Sequence, residues 1–274
     1  MSWYEAIVLG VLQGITEFLP ISSSAHLFIF SQFFGWADPG AAFTAVSQIG
    51  TELAVIVYFW RDITRIVSTW SRSLGNPALR KDLDARMGWY VIVGTIPVAT
   101  LGFLFADQIE TTARNLYLVA STLIIFGVLL GIADRYGRKI KSIEKLKLSE
   151  AVAFGLGQAL ALIPGVSRSG ATITTGLALG YNRVAATRYA FLLAIPAVLG
   201  SGLYEAMKIS DQQNVEWGQT ILATVIAFFV GLAVISWLLR WLTTRTYTPF
   251  VIYRVVLGLV VLLLLATGSL SSVA

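Results

Sequence analysis

Six apolar segments recur along this chain of 274 residues, at about 43–60, 88–106, 116–133, 186–207, 218–240 and 250–270. A helix rises ~1.5 Å per residue, so about 20 residues carry it across a hydrocarbon layer of ~30 Å. Hydrocarbon allows a spanning chain only helices or closed barrels, because every backbone N–H and C=O must find a partner within protein. A barrel reads as strands of about 10 residues with alternating polarity. Here the apolar runs are continuous. Charged residues make up 13% of the chain, against about 25% in soluble domains. The chain therefore reads as an all-α integral membrane protein. It has no cysteine, which excludes disulfides, thiolate metal sites and cysteine nucleophiles. Trp3, Tyr4 and Glu5 stand where a basic leader would begin, so no cleavable signal peptide is expected.

Two stretches depart from the apolar pattern. Gln13-Gly-Ile-Thr-Glu17-Phe-Leu-Pro20-Ile-Ser22-Ser23-Ser24-Ala-His26 holds a carboxylate, a helix breaker, three consecutive hydroxyls and the single histidine. Residues 3–18 are too short to span, and Ser22 to Ser24 are N-caps for a second short helix over about 25–34. Two half-length helices meeting at a polar loop predict a re-entrant hairpin over 3–34. The element 149–180 repeats the design, with Ser149-Glu150 at its start and Pro164-Gly165 at its break. The two align without a gap at an offset of 145: Glu5 with Glu150, Gly10 with Gly155, Gln13 with Gln158, Ser22 with Ser167, Ser24 with Ser169. Each hairpin is followed by three spans. An odd number of crossings inverts the second copy, giving repeats over 1–134 and 149–274 whose loops meet near the midplane. The predicted fold is six transmembrane helices plus two re-entrant helix-loop-helix hairpins in one membrane domain.

The net charge of +5 raises the question of nucleic acid, but the placement of the cations answers to topology. Segment 61–87 holds Arg61, Arg65, Arg72, Arg80, Lys81 and Arg86, and segment 134–149 holds another six. Arg183, Arg188, Arg240 and Arg245 fall on that same side, whereas the opposite side has only Arg114 and Lys208. The positive-inside rule makes the basic side cytoplasmic. Both termini and the mouth of the first hairpin then face outward. Trp60, Trp89, Tyr90 and Trp217 lie near segment ends, as interfacial aromatics do.

Polar groups inside a membrane call for a functional reading. Gln13 and Glu17 are four apart and share a helix face. Arg168 is the one cation placed at depth away from a segment end. The repeat brings Ser22–His26 towards Ser167–Thr172. This gathers a guanidinium, hydroxyls, an imidazole, a carboxylate and two helix N-termini. Helix N-termini bind phosphate and arginine adds a bidentate fork, so the expected ligand is an anion, best a phosphate. Ser22, Ser24, Ser167, Arg168, Ser169 and Thr172 are the candidate phosphate binders. Each has a bland alternative: a packing histidine, a counter-ion to Glu17, serines that only cap. Glu52, inside the first span, serves either the site or a helix–helix hydrogen bond. Arg254 reads as a snorkelling or paired residue, and Gly10, Gly14, Gly155 and Gly157 as close-packing positions.

Gln13-x-x-x-Glu17 with the following Phe-Leu-Pro-Ile-Ser-Ser-Ser-Ala-His26 resembles the first signature of the undecaprenyl pyrophosphate phosphatase, or bacitracin-resistance, family. Pro164-Gly-Val-Ser-Arg-Ser-Gly-Ala-Thr172 resembles its second. Gln48-Ile-Gly-Thr51 and Pro249-Phe-Val-Ile-Tyr-Arg254 also fit, so the resemblance covers the whole chain. It implies hydrolysis of undecaprenyl diphosphate to undecaprenyl phosphate and inorganic phosphate in the bacterial inner membrane, with a divalent cation, Mg²⁺ or Ca²⁺. Glu17, helped by Gln13, is the expected metal ligand. Ser23 and His26 are the expected chemical pair, either His26 activating Ser23 or His26 itself attacking. Gln13 stands where many members carry Glu, which leaves less charge for metal. Ser24-Ala25 replaces a common Thr-Gly. The implied partners are a polyprenyl diphosphate and membrane lipids; nucleic acid is not implied and a homodimer is admitted. Two other classes compete. Inverted repeats with broken helices also mark transporters, so a lipid-phosphate flippase is the alternative. A type 2 phosphatidic-acid-phosphatase chemistry needs two histidines, and this chain has one.

Overall fold

A computed structural model describes residues 1–37, 40–106, 108, 115–209 and 216–270, and the side chains of 41–42 and 203–209 lie outside that description. Arg114 and the side chain of Lys208, both used above for orientation, are among what is not described. The helices are α1 Trp3–Thr16, α2 Ser23–Phe34, α3 Gly40–Tyr58, α4 Trp60–Gly75, α5 Leu83–Leu104, α6 Leu116–Tyr136, α7 Leu148–Ala159, α8 Arg168–Ala178, α9 Arg183–Ile209, α10 Trp217–Trp241 and α11 Thr248–Ala266. Five of them are long and apolar enough to cross a membrane, or six if the bent pair of α3 and α4 counts as one span. The described residues contain no strand, only an isolated bridge between Lys141 and Tyr181.

The two predicted short hairpins are α1–α2 and α7–α8, and their local signals match. Ser2 opens α1 with a capping box: its hydroxyl accepts from the Glu5 N–H at 3.2 Å, and Glu5 accepts from the Ser2 N–H at 2.9 Å. At the equivalent point of the second hairpin, Glu150 accepts from the Lys147 N–H at 3.1 Å. The caps after the breaks match as well. Ser22 has φ 74° and ψ 99°, and Ser167 has φ 73° and ψ 118°. Both are non-glycine residues at positive φ, a strained conformation that marks functional loops. Each hydroxyl caps the N–H three residues on and contacts a second serine two residues on, at 3.3 Å for Ser24 and 3.2 Å for Ser169.

Each hairpin lies along a long helix from the other half of the chain: α1 along α10, α7 along α5. Glycine permits this contact. A Cβ on Gly10 would sit 2.7 Å from the Ala223 carbonyl oxygen, and one on Gly155 would sit 2.1 Å from that of Gly94. Beneath the first loop, Phe18, Phe59 and Phe191 pack edge to face, with Phe18 and Phe191 centroids 5.4 Å apart. On the basic side Asp134, at the end of α6, accepts from Arg183 Nε at 2.5 Å and from the Tyr247 N–H at 2.9 Å. That carboxylate ties the starts of α9 and α11 to the end of α6.

The sequence reading of 61–87 as a loop is corrected. The chain turns by 76° after Tyr58 and continues as α4, and α5 begins at Leu83 rather than 88. Trp60, Ile63, Val67, Trp70 and Leu74 repeat at spacings of three and four, with arginines on the remaining faces. That is the pattern of an amphipathic helix.

Candidate active site

Ser169 on α8 crosses to the first hairpin, its hydroxyl 3.2 Å from the carbonyl oxygens of both Glu17 and Leu19. The Arg168 guanidinium pairs with one oxygen of Glu17. The other Glu17 oxygen accepts from Ser23 Oγ at 2.6 Å and from Gln13 Nε2 at 2.9 Å. Glu17 is nearly buried at 6% side-chain exposure, whereas Arg168 is 21% exposed. One carboxylate thus joins the amide of α1, the first serine of α2 and the arginine that opens α8. The two loops are in contact, and Gln13, Glu17, Ser23 and Arg168 form one cluster.

The helix starts leave donors open. The Ser22 and Ser167 hydroxyls cap the N–H groups of Ala25 and Gly170. Among the described residues, nothing accepts from the N–H groups of Ser23, Ser24, Arg168 or Ser169. Two adjacent free N–H groups at a helix start form an anion-binding concavity. Ser23, Ser24 and Arg168 are the members of the cluster that retain solvent access, and the residues around them are buried. The serines divide accordingly: Ser22, Ser167 and Ser169 are spent on caps and loop contacts, while Ser23 and Ser24 face the opening. Thr172 stands one turn further along α8, fully buried, donating to the Arg168 carbonyl at 2.8 Å. Its hydroxyl serves the helix backbone.

His26 is buried and does not touch Ser23. Its Nδ1 lies 2.7 Å from the Ser22 carbonyl oxygen and its Nε2 lies 2.8 Å from the Tyr253 hydroxyl. A carbonyl only accepts, so Nδ1 carries the proton and Nε2 accepts from Tyr253. The imidazole thereby fixes the strained Ser22 turn to α11.

Arg254 overturns the expectation of a snorkelling residue. It is fully buried, and its guanidinium donates to five main-chain carbonyls: Leu123 at 3.2 Å, Pro20 at 3.0 Å, Thr122 at 3.4 Å, Gly165 at 3.1 Å and Val166 at 3.0 Å. Pro20 belongs to the first loop, Gly165 and Val166 to the second. Arg254 is therefore a second cation at depth, and it rivets the two loops together. Thr122 adds a hydrogen bond of 2.6 Å to the Pro164 carbonyl.

Two buried side chains at the cluster keep unpartnered oxygens, Gln13 Oε1 and Glu52 Oε1, and on α7 both amide atoms of the buried Gln158 are likewise unpartnered. Among the described residues no group of three His, Cys, Asp or Glu converges as a full protein cage for a metal. A hard cation that keeps water and phosphate ligands needs only one or two carboxylates. Acceptors without donors, beside Glu17, fit such an ion. A cavity of about 850 Å³ lies elsewhere, on the basic side, lined by Asp62, Arg65, Lys139, Glu144, Arg183 and Arg188 among others. Its arginines are engaged in ion pairs with Asp62, Asp84 and Asp134, and Ser142 in its lining bonds to the exposed Glu144. The serine, carboxylate and arginine with open N–H groups beside them are gathered at the loop cluster.

A multi-pass helical membrane protein whose paired broken helices offer free N–H groups, an arginine and a carboxylate-bound serine belongs to the phosphate-handling class. Comparison with known proteins narrows this. The family model described as bacitracin resistance protein BacA matches residues 6–260, and the chain belongs to that family. A relative from Nocardioides sp. named undecaprenyl-diphosphatase is 56% identical over 99% of this chain and 100% of its own length. Similar relatives of the same name come from Thermobifida fusca, at 56% over 99% and 93%, and from Micrococcus luteus, at 57% over 99% and 100%.

Proposed function

We infer that this chain is an undecaprenyl-diphosphatase: it hydrolyses undecaprenyl diphosphate to undecaprenyl phosphate and inorganic phosphate. This recycles the carrier lipid for cell-wall synthesis and gives resistance to bacitracin. The observation that carries the chemistry is the Ser23 hydroxyl held 2.6 Å from Glu17, with Arg168 on that carboxylate's other oxygen. Ser23 Oγ attacks the terminal phosphorus and its proton passes to Glu17. The bond from that phosphorus to the bridging oxygen breaks, and undecaprenyl phosphate leaves with the proton that Glu17 had taken. Water then attacks the phosphoserine and gives a proton to the freed Glu17 carboxylate; the bond from phosphorus to Ser23 Oγ breaks, Glu17 returns that proton to Oγ, and inorganic phosphate is released. Arg168 and the free N–H groups of the two helix starts hold the phosphates and stabilise charge in the transition state. His26 keeps Ser22, and so the start of α2, in place. Glu17, with the amide oxygen of Gln13, would hold the divalent cation, which neutralises phosphate charge when bound.

Two assays test this. Purified protein releases phosphate from polyprenyl diphosphate, and EDTA suppresses the release. A trapped phospho-enzyme mapped by mass spectrometry carries phosphate on Ser23; phosphohistidine at His26 would instead make the imidazole the nucleophile.

The topology that fits this chemistry has six spans and two re-entrant hairpins, as inverted repeats over 1–134 and 149–274. The matched caps at an offset of 145 and the crossed packing of α1 on α10 and α7 on α5 support it. The cation count supports a bacterial inner-membrane setting with the site mouth and both termini outward. Lipid translocation is the second reading, favoured by the polar cavity of about 850 Å³ on the basic side. Vesicles that separate phosphate release from lipid movement discriminate the two.

A further inference from the structure

Glu52 sits mid-helix in α3 and is 2% exposed. Its Oε1 has no hydrogen-bond donor. Its carboxylate lies near enough to Arg168 and Glu17 to feel both charges, so α3 brings a second carboxylate to the cluster built by α1 and α8. Gln13, fully buried, uses Nε2 on Glu17 and leaves Oε1 unpartnered. A buried acceptor without a donor costs about 1–3 kcal/mol, and an uncompensated charge more. Two such atoms on neighbouring helices, one on the partner of Glu17 and one within range of its charge, fit a hard cation, which takes carboxylate and amide oxygens.

We propose that Glu52 is the second carboxylate of a divalent-cation site completed by Glu17 and the Gln13 amide oxygen. The proposal rests on the cation reading above and assigns it a ligand from a different helix. It also accounts for Gln13. A paired-acid motif on α1 alone supplies one negative charge here, because its first position is an amide. Glu52 returns the second charge from α3. With two carboxylates and one amide the protein leaves the remaining coordination positions to water and to phosphate oxygens, as such ions prefer when they serve phosphoryl chemistry.

The test is Mn²⁺ binding to the purified full chain in detergent, followed by the electron paramagnetic resonance of free Mn²⁺, which needs no turnover. Wild type binds Mn²⁺, and Glu17→Gln removes binding. Glu52→Gln weakens it at least about tenfold. The double variant Gln13→Glu, Glu52→Gln returns affinity to within about threefold of wild type, because a carboxylate lost from α3 is replaced on α1. Should Glu52→Gln fail to fold, Glu52→Asp serves in its place, with the same direction of loss. Wild-type affinity in a folded Glu52 variant overturns the assignment and leaves the cation reading standing. A wild type that binds no Mn²⁺ overturns both.

Discussion

Replacing Arg254 by lysine isolates what the guanidinium does. Arginine reaches five carbonyls at 3.0–3.4 Å, from α6, the first loop and the second loop. Lysine keeps the charge but offers three donors on a single nitrogen. The carbonyls of Thr122 and Leu123 keep their helix bonds within α6, but one nitrogen cannot replace both Nη1 at Pro20 and Nη2 at Gly165 and Val166, so at least one loop carbonyl loses its donor. At about 1–3 kcal/mol for each orphaned group, the loss is ~1–3 kcal/mol or more. That is a sizeable share of the roughly 5–15 kcal/mol by which domains are stable. Arg254→Met orphans all three loop carbonyls and destabilises further. The loops also drift apart once Pro20 is no longer tied to Gly165 and Val166. A displacement of about 1 Å at a reacting centre costs ~10²-fold in rate. Two measurements are needed: thermal unfolding of the detergent-purified variants and kcat/KM for phosphate release. Expected are a lowered melting temperature in the order wild type, lysine, methionine, and at least about a hundredfold loss of kcat/KM in the lysine variant. A lysine variant that melts and turns over like wild type refutes the rivet.

Arg168→Ala leaves Glu17 paired only with Ser23 and Gln13, and removes the cation at the mouth; phosphate release falls by about 10³-fold, with secondary structure by circular dichroism unchanged. His26→Ala frees the Ser22 turn and lowers the rate by about 10²-fold, read in the same assay. Tyr253→Phe removes the donor to His26 Nε2 and lowers kcat by about tenfold, while KM, set by Arg168 and the free N–H groups, stays within about twofold. Gly155→Leu forces a side chain into space where even a Cβ would lie 2.1 Å from the Gly94 carbonyl oxygen; the variant elutes as aggregate in size-exclusion chromatography. Gly102→Ala, whose Cβ would meet only Leu162 at 3.6 Å, elutes as wild type.

The polar stretches were legible because hydroxyls, a carboxylate and a histidine inside apolar runs have no cheap structural excuse. The gapless offset of 145 aligned Ser22 with Ser167, and the two residues share nearly the same cap angles. Helix α4 was legible in the spacing of Trp60, Ile63, Val67, Trp70 and Leu74, but its arginines drew the reading towards topology. Arg254 was not legible. Its partners are main-chain carbonyls, and a carbonyl leaves no mark on a sequence. Near the start of a span, an arginine that snorkels and one that rivets read alike. The link from His26 to Tyr253 spans 227 positions, so only the fold makes the two neighbours. It also decides that the Ser23 hydroxyl meets Glu17, a choice that spacing alone left open.

A helix broken at depth exposes acceptors on one side of the break and donors on the other, and hydrocarbon tolerates neither. Here the two sets meet different fates. The acceptors are absorbed by the protein. Arg254 takes the carbonyls of Pro20, Gly165 and Val166; Thr122 takes that of Pro164; Ser169 takes those of Glu17 and Leu19. The donors are left: the N–H groups of Ser23 and Ser24 on α2, and of Arg168 and Ser169 on α8, have no acceptor among the described residues. A pocket that satisfies its loop carbonyls and keeps its N–H groups open selects a ligand rich in acceptors and negative in charge. A sugar, with donors of its own, would leave these N–H groups partly unmet. A diphosphate brings acceptor oxygens to two facing clefts at once, and its lipid tail can stay in the hydrocarbon from which the hairpins rise.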